Sequence, residues 1–125
     1  MEEAVAVTVA EADRFVRDLG VMRDSWTGRL RERRAQGERC VIWGAGSKGV
    51  GFLSTLGLSD EVTCAVDVNP AKHGMFMPGT GHEIVAPAQL REVRPSLVVV
   101  MNPVYVDEIR HDLGQLGVDA TVESV

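Results

Sequence analysis

Cysteine is scarce in this sequence: only Cys40 and Cys64 occur, and they form no C-x-x-C pair. That excludes a disulfide framework and a thiolate metal site. It leaves two core thiols, as expected of a chain kept in a reducing cytoplasm. Long apolar runs are missing as well. No stretch approaches the roughly 18 residues of a membrane span, so no membrane partner is expected. The acidic opening, Met1-Glu2-Glu3-Ala4, is unlike the basic start of a secretory leader. Positive charge is in deficit, with 13 Lys and Arg against 18 Asp and Glu and a formal net charge of −5. Phosphate backbones select basic surfaces, so a general nucleic-acid binder is not expected either. Catalytic signatures are absent too. Tyr105 is followed by Val-Asp-Glu-Ile where a short-chain dehydrogenase would place Lys four residues on, and neither Gly-Lys-Ser/Thr nor G-x-S-x-G occurs. No catalytic residue and no metal ligand set is expected on this chain.

What is present is organised around Cys40-Val41-Ile42-Trp43-Gly44-Ala45-Gly46-Ser47-Lys48-Gly49-Val50, an apolar run that breaks into a glycine-rich turn and resumes with helical periodicity. It reads as strand, anion-binding loop, helix. In the spacing G-x-G-x-x-G, Gly44 permits the turn, Gly46 lets backbone N–H groups approach a ligand, and Gly49 allows close helix–sheet packing. Ala45, Ser47 and Lys48 complete the cradle. The helix N-terminus favours an anion, and Lys48 adds a full positive charge. A second strand, Val62-Thr63-Cys64-Ala65-Val66-Asp67, ends in the acidic residue that this fingerprint requires about 20 residues downstream. Asp67 is therefore a candidate acceptor for a ribose hydroxyl.

The remaining chain supports a small α/β Rossmann-like three-layer fold, with a mostly parallel sheet of four or five strands preceded by a long N-terminal helix. Its 125 residues suit one such domain. The helix is expected over residues 8–36. Thr8 and Glu11 form a capping box, Phe15, Leu19, Met22, Trp26 and Leu30 form the apolar stripe, and Gly37 is the stop. Residues 1–37 are read as a packing or interface element and residues 38–125 as the Rossmann-like unit. Arg29, Arg31, Arg33, Arg34 and Arg39 either complement the helix dipole or bind an anion. A second helix follows the loop and closes at Gly57. Asn69 to His82, rich in Pro and Gly, is a loop expected to run over the ligand edge of the sheet, with Asn69 as a candidate contact and His73 and His82 as acid/base groups, phosphate contacts or merely solvated side chains. Ile84-Val85 is a short strand, and Pro87 opens a short helix ended by Pro95. Leu97 to Met101 is a strand buried on both faces, expected at the sheet centre beside the first. Asn102, Pro103 and Tyr105 lie at its carboxyl end, facing the glycine loop where the strand order reverses. There Asn102 could read a base or sugar hydroxyl or simply cap the next turn, and Tyr105 could stack or donate. An amphipathic helix from Val106 to Leu116, a stop at Gly117 and an edge strand over Val118 to Val122 complete the fold.

Four motifs in order, V-I-W-G-A-G-S-K-G-V-G-F-L, A-V-D-V-N-P-A-K-H-G, P-G-T-G-H-E-I-V-A-P and V-V-V-M-N-P-V-Y, resemble the C-terminal domain of SAM-dependent sugar C-methyltransferases over about residues 38–118. In that family a Rossmann-like domain follows a zinc-binding segment and a SAM-dependent catalytic domain, and the enzymes act on nucleotide-linked deoxysugars. The resemblance implies a substrate-binding or accessory domain for a nucleoside-diphosphate sugar, with no cofactor on this chain and SAM on an associated methyltransferase domain. The partner would be that separate domain, or a second copy meeting this one through the N-terminal helix. An NAD(H)- or SAM-binding module and a purely structural role remain alternatives for the same loop.

Overall fold

The computed structural model of the chain describes residues 25–125. The Thr8–Glu11 box and Phe15, Leu19 and Met22 lie outside that range. Residues 25–35 are helical and form α1. The elements that follow are β1 (Cys40–Trp43), α2 (Ser47–Leu56), β2 (Ala65–Val66), β3 (Ile84–Val85), α3 (Leu90–Val93), β4 (Leu97–Val100), α4 (Val106–Leu116) and β5 (Thr121–Ser124). Short 3-10 turns at Pro70–Lys72, Pro87–Gln89 and Pro103–Tyr105 open the connections. In each the proline occupies a first-turn position, where its missing N–H costs nothing.

The five strands form one parallel sheet in the order β3-β2-β1-β4-β5. The order reverses between β1 and β4, the place where an open α/β sheet leaves a crevice at its carboxyl edge. β1 holds the middle of the sheet and β4 lies beside it, with Ile42 level with Val99 and Trp43 level with Val100. Both strands are fully buried, as their unbroken apolar sequences require. β2 is shorter than its sequence suggests, and β5 sits slightly later than the apolar pattern places it.

Side-chain alternation divides the core into two layers. Cys40, Ile42, Leu97 and Val99 face one side, where Trp26 and Leu30 of α1 and Phe52, Leu53 and Leu56 of α2 cover them. Val41, Trp43, Val98 and Val100 face the other, under Leu90 of α3 and Ile109 and Leu113 of α4. The described part of α1 thus spends its apolar face on the sheet of its own domain. Trp26 meets Phe52 edge-to-face at 5.9 Å. The arginines fasten the same helix. Arg29 pairs with Glu123 of β5, Arg31 with Glu61 at 3.6 Å, and Arg33 with Glu38 at 3.2 Å, while Arg39 donates to the Val93 carbonyl at 2.9 Å.

Three helices end alike. At Gly37, Gly57 and Gly117 the glycine N–H bonds back three residues and the next N–H bonds back five, the pattern of a Schellman stop. α3 ends instead on Arg94, the one non-glycine residue with positive φ (53°) among the described residues.

Candidate functional site

The glycine loop is shaped by two close approaches. Gly44 leaves β1 at φ 122°, and a Cβ there would sit 3.1 Å from the Met101 Cβ. A Cβ on Gly49 would overlap the Gly44 carbonyl oxygen, so the first turn of α2 can rest on the loop only without one. Gly46 differs: its φ is −87° and an added Cβ would meet nothing within 4 Å. It faces open space. As the N-cap of α2 it offers no side-chain acceptor, and no acidic residue stands in the first turn. Ser47 and Lys48 are exposed there, and Lys48 makes no ion pair among the described residues. The amides at this helix start therefore combine with a free ammonium to favour an anion.

Asp67, just beyond β2, braces this loop. Its Oδ2 accepts the Ala45 N–H at 3.1 Å and its Oδ1 accepts the Asn69 N–H at 2.9 Å. Lys72 Nζ lies 4.0 Å away, and His73 Nε2 donates to the Asp67 carbonyl at 2.6 Å. The ends of β1 and β2 are thereby locked together through one carboxylate.

Beside the loop, on the α4 side of the sheet, opens a cleft of about 370 Å³, large enough for a nucleoside-sized group. Trp43, Val68, Val100, Met101 and Ile109 make its apolar walls, and Tyr105 and Asn102 stand at the end of β4. Asp67, Glu108 and Asp112 give three carboxylates, and no Lys, Arg or His among the described residues lines it. Glu108 and Asp112 project together because they are four residues apart on α4.

Of the residues expected at the site, Gly44, Asp67, Asn102 and Tyr105 line this cleft, and Gly46, Ser47, Lys48 and Gly49 form the adjoining helix start. Ala45 is buried, with its N–H already given to Asp67. Asn102 lines the cleft and also accepts the Val104 N–H at 3.1 Å, so it caps the turn that Pro103 opens; Pro103 itself is exposed outside the cleft. Asn69 does the same for Pro70–Lys72, accepting from Ala71 at 3.0 Å, and is not brought to the cleft.

His82 is also elsewhere. It is 8% exposed, with Nδ1 bonded to Thr80 Oγ1 at 2.8 Å and Nε2 donating to the Ser59 carbonyl at 2.7 Å, which ties the loop to the turn after α2. The physical reason is topological. β3 runs parallel to β2, so the connecting chain must return to the amino edge of the sheet before entering it. Only the first part of residues 69–82 can lie over the ligand edge, and Met77 already packs with the α2 layer. Trp43, Glu108 and Asp112 are among the lining residues that the sequence does not single out, as are the apolar wall residues.

No group of three or more His, Cys, Asp or Glu side chains suited to a metal occurs among the described residues. The two thiols are buried, which raises Cys40 above its usual range and pushes Cys64 up to about 11, with Glu83 adding to the latter. Neither is a thiolate nucleophile near neutral pH. No helix among the described residues is long and apolar enough to cross a membrane.

The sequence model of the C-methyltransferase C-terminal domain family matches residues 2–120. The chain belongs to that family. Among solved structures it is similar to the UDP-D-quinovosamine 4-dehydrogenase from Vibrio fischeri, at 23% identity over 70% of this chain and 77% of that one, with a TM-score of 0.57. It is similar also to RSP, a Rex-family repressor, at 14% identity over 70% of this chain and 52% of that one, with a TM-score of 0.52. These likenesses show the Rossmann-like fold. No curated protein matches the chain.

Proposed function

We propose that this chain, a member of the C-methyltransferase C-terminal domain family, is the substrate-binding accessory domain of a SAM-dependent C-methyltransferase in the cytoplasm. In this reading it holds a nucleoside-diphosphate-linked deoxysugar while a separate catalytic domain carries SAM and transfers the methyl group. The observation that carries the reading is the start of α2. There an uncapped helix N-terminus with no acidic residue in its first turn, and a Lys48 that pairs with no described residue, adjoin a cleft lined by hydroxyl-accepting carboxylates. A diphosphate has only acceptor oxygens and negative charge, and it suits the first; a polyhydroxylated group suits the second. The chain's own residues bind and orient. Nothing in the cleft is arranged as a nucleophile with its base, so chemistry is left to the partner.

An NAD(H)- or SAM-binding module would also use the glycine loop, and would ask Asp67 to take ribose hydroxyls. Two backbone amides take one lone pair on each of its oxygens and leave room for a hydroxyl, so Asp67 serves either ligand, and direct comparison of NAD and SAM with nucleoside diphosphates separates them. The likeness to a UDP-sugar enzyme is one of fold and transfers no ligand. A purely structural role would rest on the N-terminal helix, whose Trp26 and Leu30 are already buried in this domain's core.

Calorimetric titration of the chain with dTDP, UDP and a dTDP-linked sugar tests the proposal. Binding should weaken by about tenfold to a hundredfold in Lys48→Ala at low salt, since a charge-assisted contact to phosphate contributes roughly 1.5–3 kcal/mol. Equal affinity of the two proteins would reject the anion site.

A further inference from the structure

The two halves of the site have opposite chemistry. At the α2 start everything presented to a ligand is a donor or a cation: the Ser47, Lys48 and Gly49 amides and the Lys48 ammonium. In the cleft the charged groups are Asp67, Glu108 and Asp112, acceptors all, with no cation among the lining residues. A phosphate placed there would face three like charges with no described cation on the lining to offset them.

Three side-chain donors stand on the lining of the cleft: the Asn102 amide, the Tyr105 hydroxyl and the Trp43 indole N–H. Trp43 is 8% exposed, and its indole N–H makes no hydrogen bond with any described residue. Yet no buried side-chain nitrogen or oxygen is left without a partner. The indole N–H must therefore keep a little open surface, and the space that Trp43 lines is this cleft. A buried indole usually finds an acceptor, so this N–H is a place kept for one. Across from it, Tyr105 is 51% exposed and offers an aromatic wall, and Val68, 65% exposed, offers an apolar one.

We infer that the cleft takes the nucleoside end of the ligand, with Trp43 donating to a carbonyl or ring nitrogen of the base and Glu108 and Asp112 accepting from its N–H or ribose O–H groups. The diphosphate then crosses Gly44–Gly46 to the start of α2, and the sugar projects beyond Lys48, away from this domain. A sugar in the cleft would satisfy the carboxylates equally well. It would, however, set the carbon to be methylated against α4, away from the separate domain that carries the methyl donor in this reading, and leave the aromatic and apolar walls against a polar, puckered ring. The orientation rests on the proposed nucleotide-sugar function. It adds that Trp43, Glu108 and Asp112 decide which base is accepted, while Lys48 is blind to it.

The test is a cross of probes against variants by calorimetry on the whole chain. The probes are thymidine, uridine and adenosine 5′-monophosphates, glucose 1-phosphate, inorganic pyrophosphate and a dTDP-linked sugar. The variants are Trp43→Phe, the surface pair Glu108→Gln with Asp112→Asn, and Lys48→Ala. The expected pattern is that Trp43→Phe and the carboxylate pair weaken the preferred nucleoside monophosphate and the dTDP-sugar about tenfold and leave glucose 1-phosphate and pyrophosphate unchanged. Lys48→Ala should weaken pyrophosphate and the dTDP-sugar without altering the ranking of the bases. The carboxylate pair lies on the helix surface and keeps the test valid if Trp43→Phe does not fold. Loss of glucose 1-phosphate binding in the cleft variants would overturn the orientation in favour of the sugar. A dTDP-sugar bound equally by every cleft variant would overturn the orientation and spare the function, and no binding of the dTDP-sugar by the unmodified chain would overturn both.

Discussion

Three glycines in one loop do three different jobs, and single substitutions separate them. Gly49 cannot carry a Cβ without meeting the Gly44 carbonyl, so Gly49→Ala should destabilise the fold by about 1–3 kcal/mol or more, as overpacking does. Gly46 has open space and an ordinary φ, so Gly46→Ala should cost no more than about 1 kcal/mol of N-cap preference. It would still place a methyl group where the proposed diphosphate crosses the loop. Urea unfolding of both variants, with dTDP-sugar titration of Gly46→Ala, checks the pair: the first should lose stability, and the second should stay folded and lose binding. Asp67 shows how far residue-level reading goes. Its place at the end of β2 is legible from the glycine fingerprint, but its engagement with Ala45 and Asn69 depends on how two strand ends meet. Trp43 is legible as a strand residue whose side chain alternates away from Ile42; that its N–H meets no acceptor among the described residues is a fact of packing, which no spacing reports.

Among the elements, the short α3 holds a local strain. Arg94 caps it in the left-handed region at φ 53°, where an L-residue pays roughly 1–2 kcal/mol relative to glycine. Glycine also loosens the unfolded chain, so Arg94→Gly should gain about 0.5–1 kcal/mol, read as a higher urea midpoint with an unchanged slope. A lower midpoint would mean that the Arg94 side chain holds contacts worth more than the strain. The helix stops at Gly37, Gly57 and Gly117 were legible because each needs only one residue type at one place. The acidic face of α4 was not. Glu108 and Asp112 look in sequence like any solvated helix surface, and become a cleft wall only because β4 ends beside them. His82 fails for the related reason that the return path of a parallel connection is set by the sheet, not by local composition.

At the scale of the whole molecule, the five-stranded parallel sheet follows from apolar runs separated by helix-length connections, and the reversal between β1 and β4 fixes where a ligand can enter. The same architecture sets an acid sensitivity. Glu123 is held below its usual pKa chiefly by the hydrogen bond from Arg29, and Glu61 chiefly by the Ser59 N–H, with Arg31 assisting. Both carboxyls have folded pKa values below the unfolded 4.5. Their contribution is therefore present in full above about that pH and is lost as pH falls through the folded values. Stability followed by urea unfolding should drop below about pH 4.5, and Glu123→Gln should flatten that drop while leaving Cm at pH 7 lower than in the unmodified chain. A drop of the same steepness in the variant would remove Glu123 from the cause.

The role proposed for this domain is to hold a nucleoside-diphosphate sugar across the carboxyl edge of its sheet. A thermal-shift panel of the whole chain with dTDP, dTDP-linked sugars, UDP, NAD, NADP, SAM and S-adenosylhomocysteine tests it most directly. A ligand at 100 times its dissociation constant adds ~2.7 kcal/mol, or about 10 °C for a domain of this size. The account predicts a shift of that order with the nucleoside diphosphates and their sugars and none with NAD or SAM. A shift confined to NAD or SAM, or no shift with any nucleoside diphosphate, would contradict it.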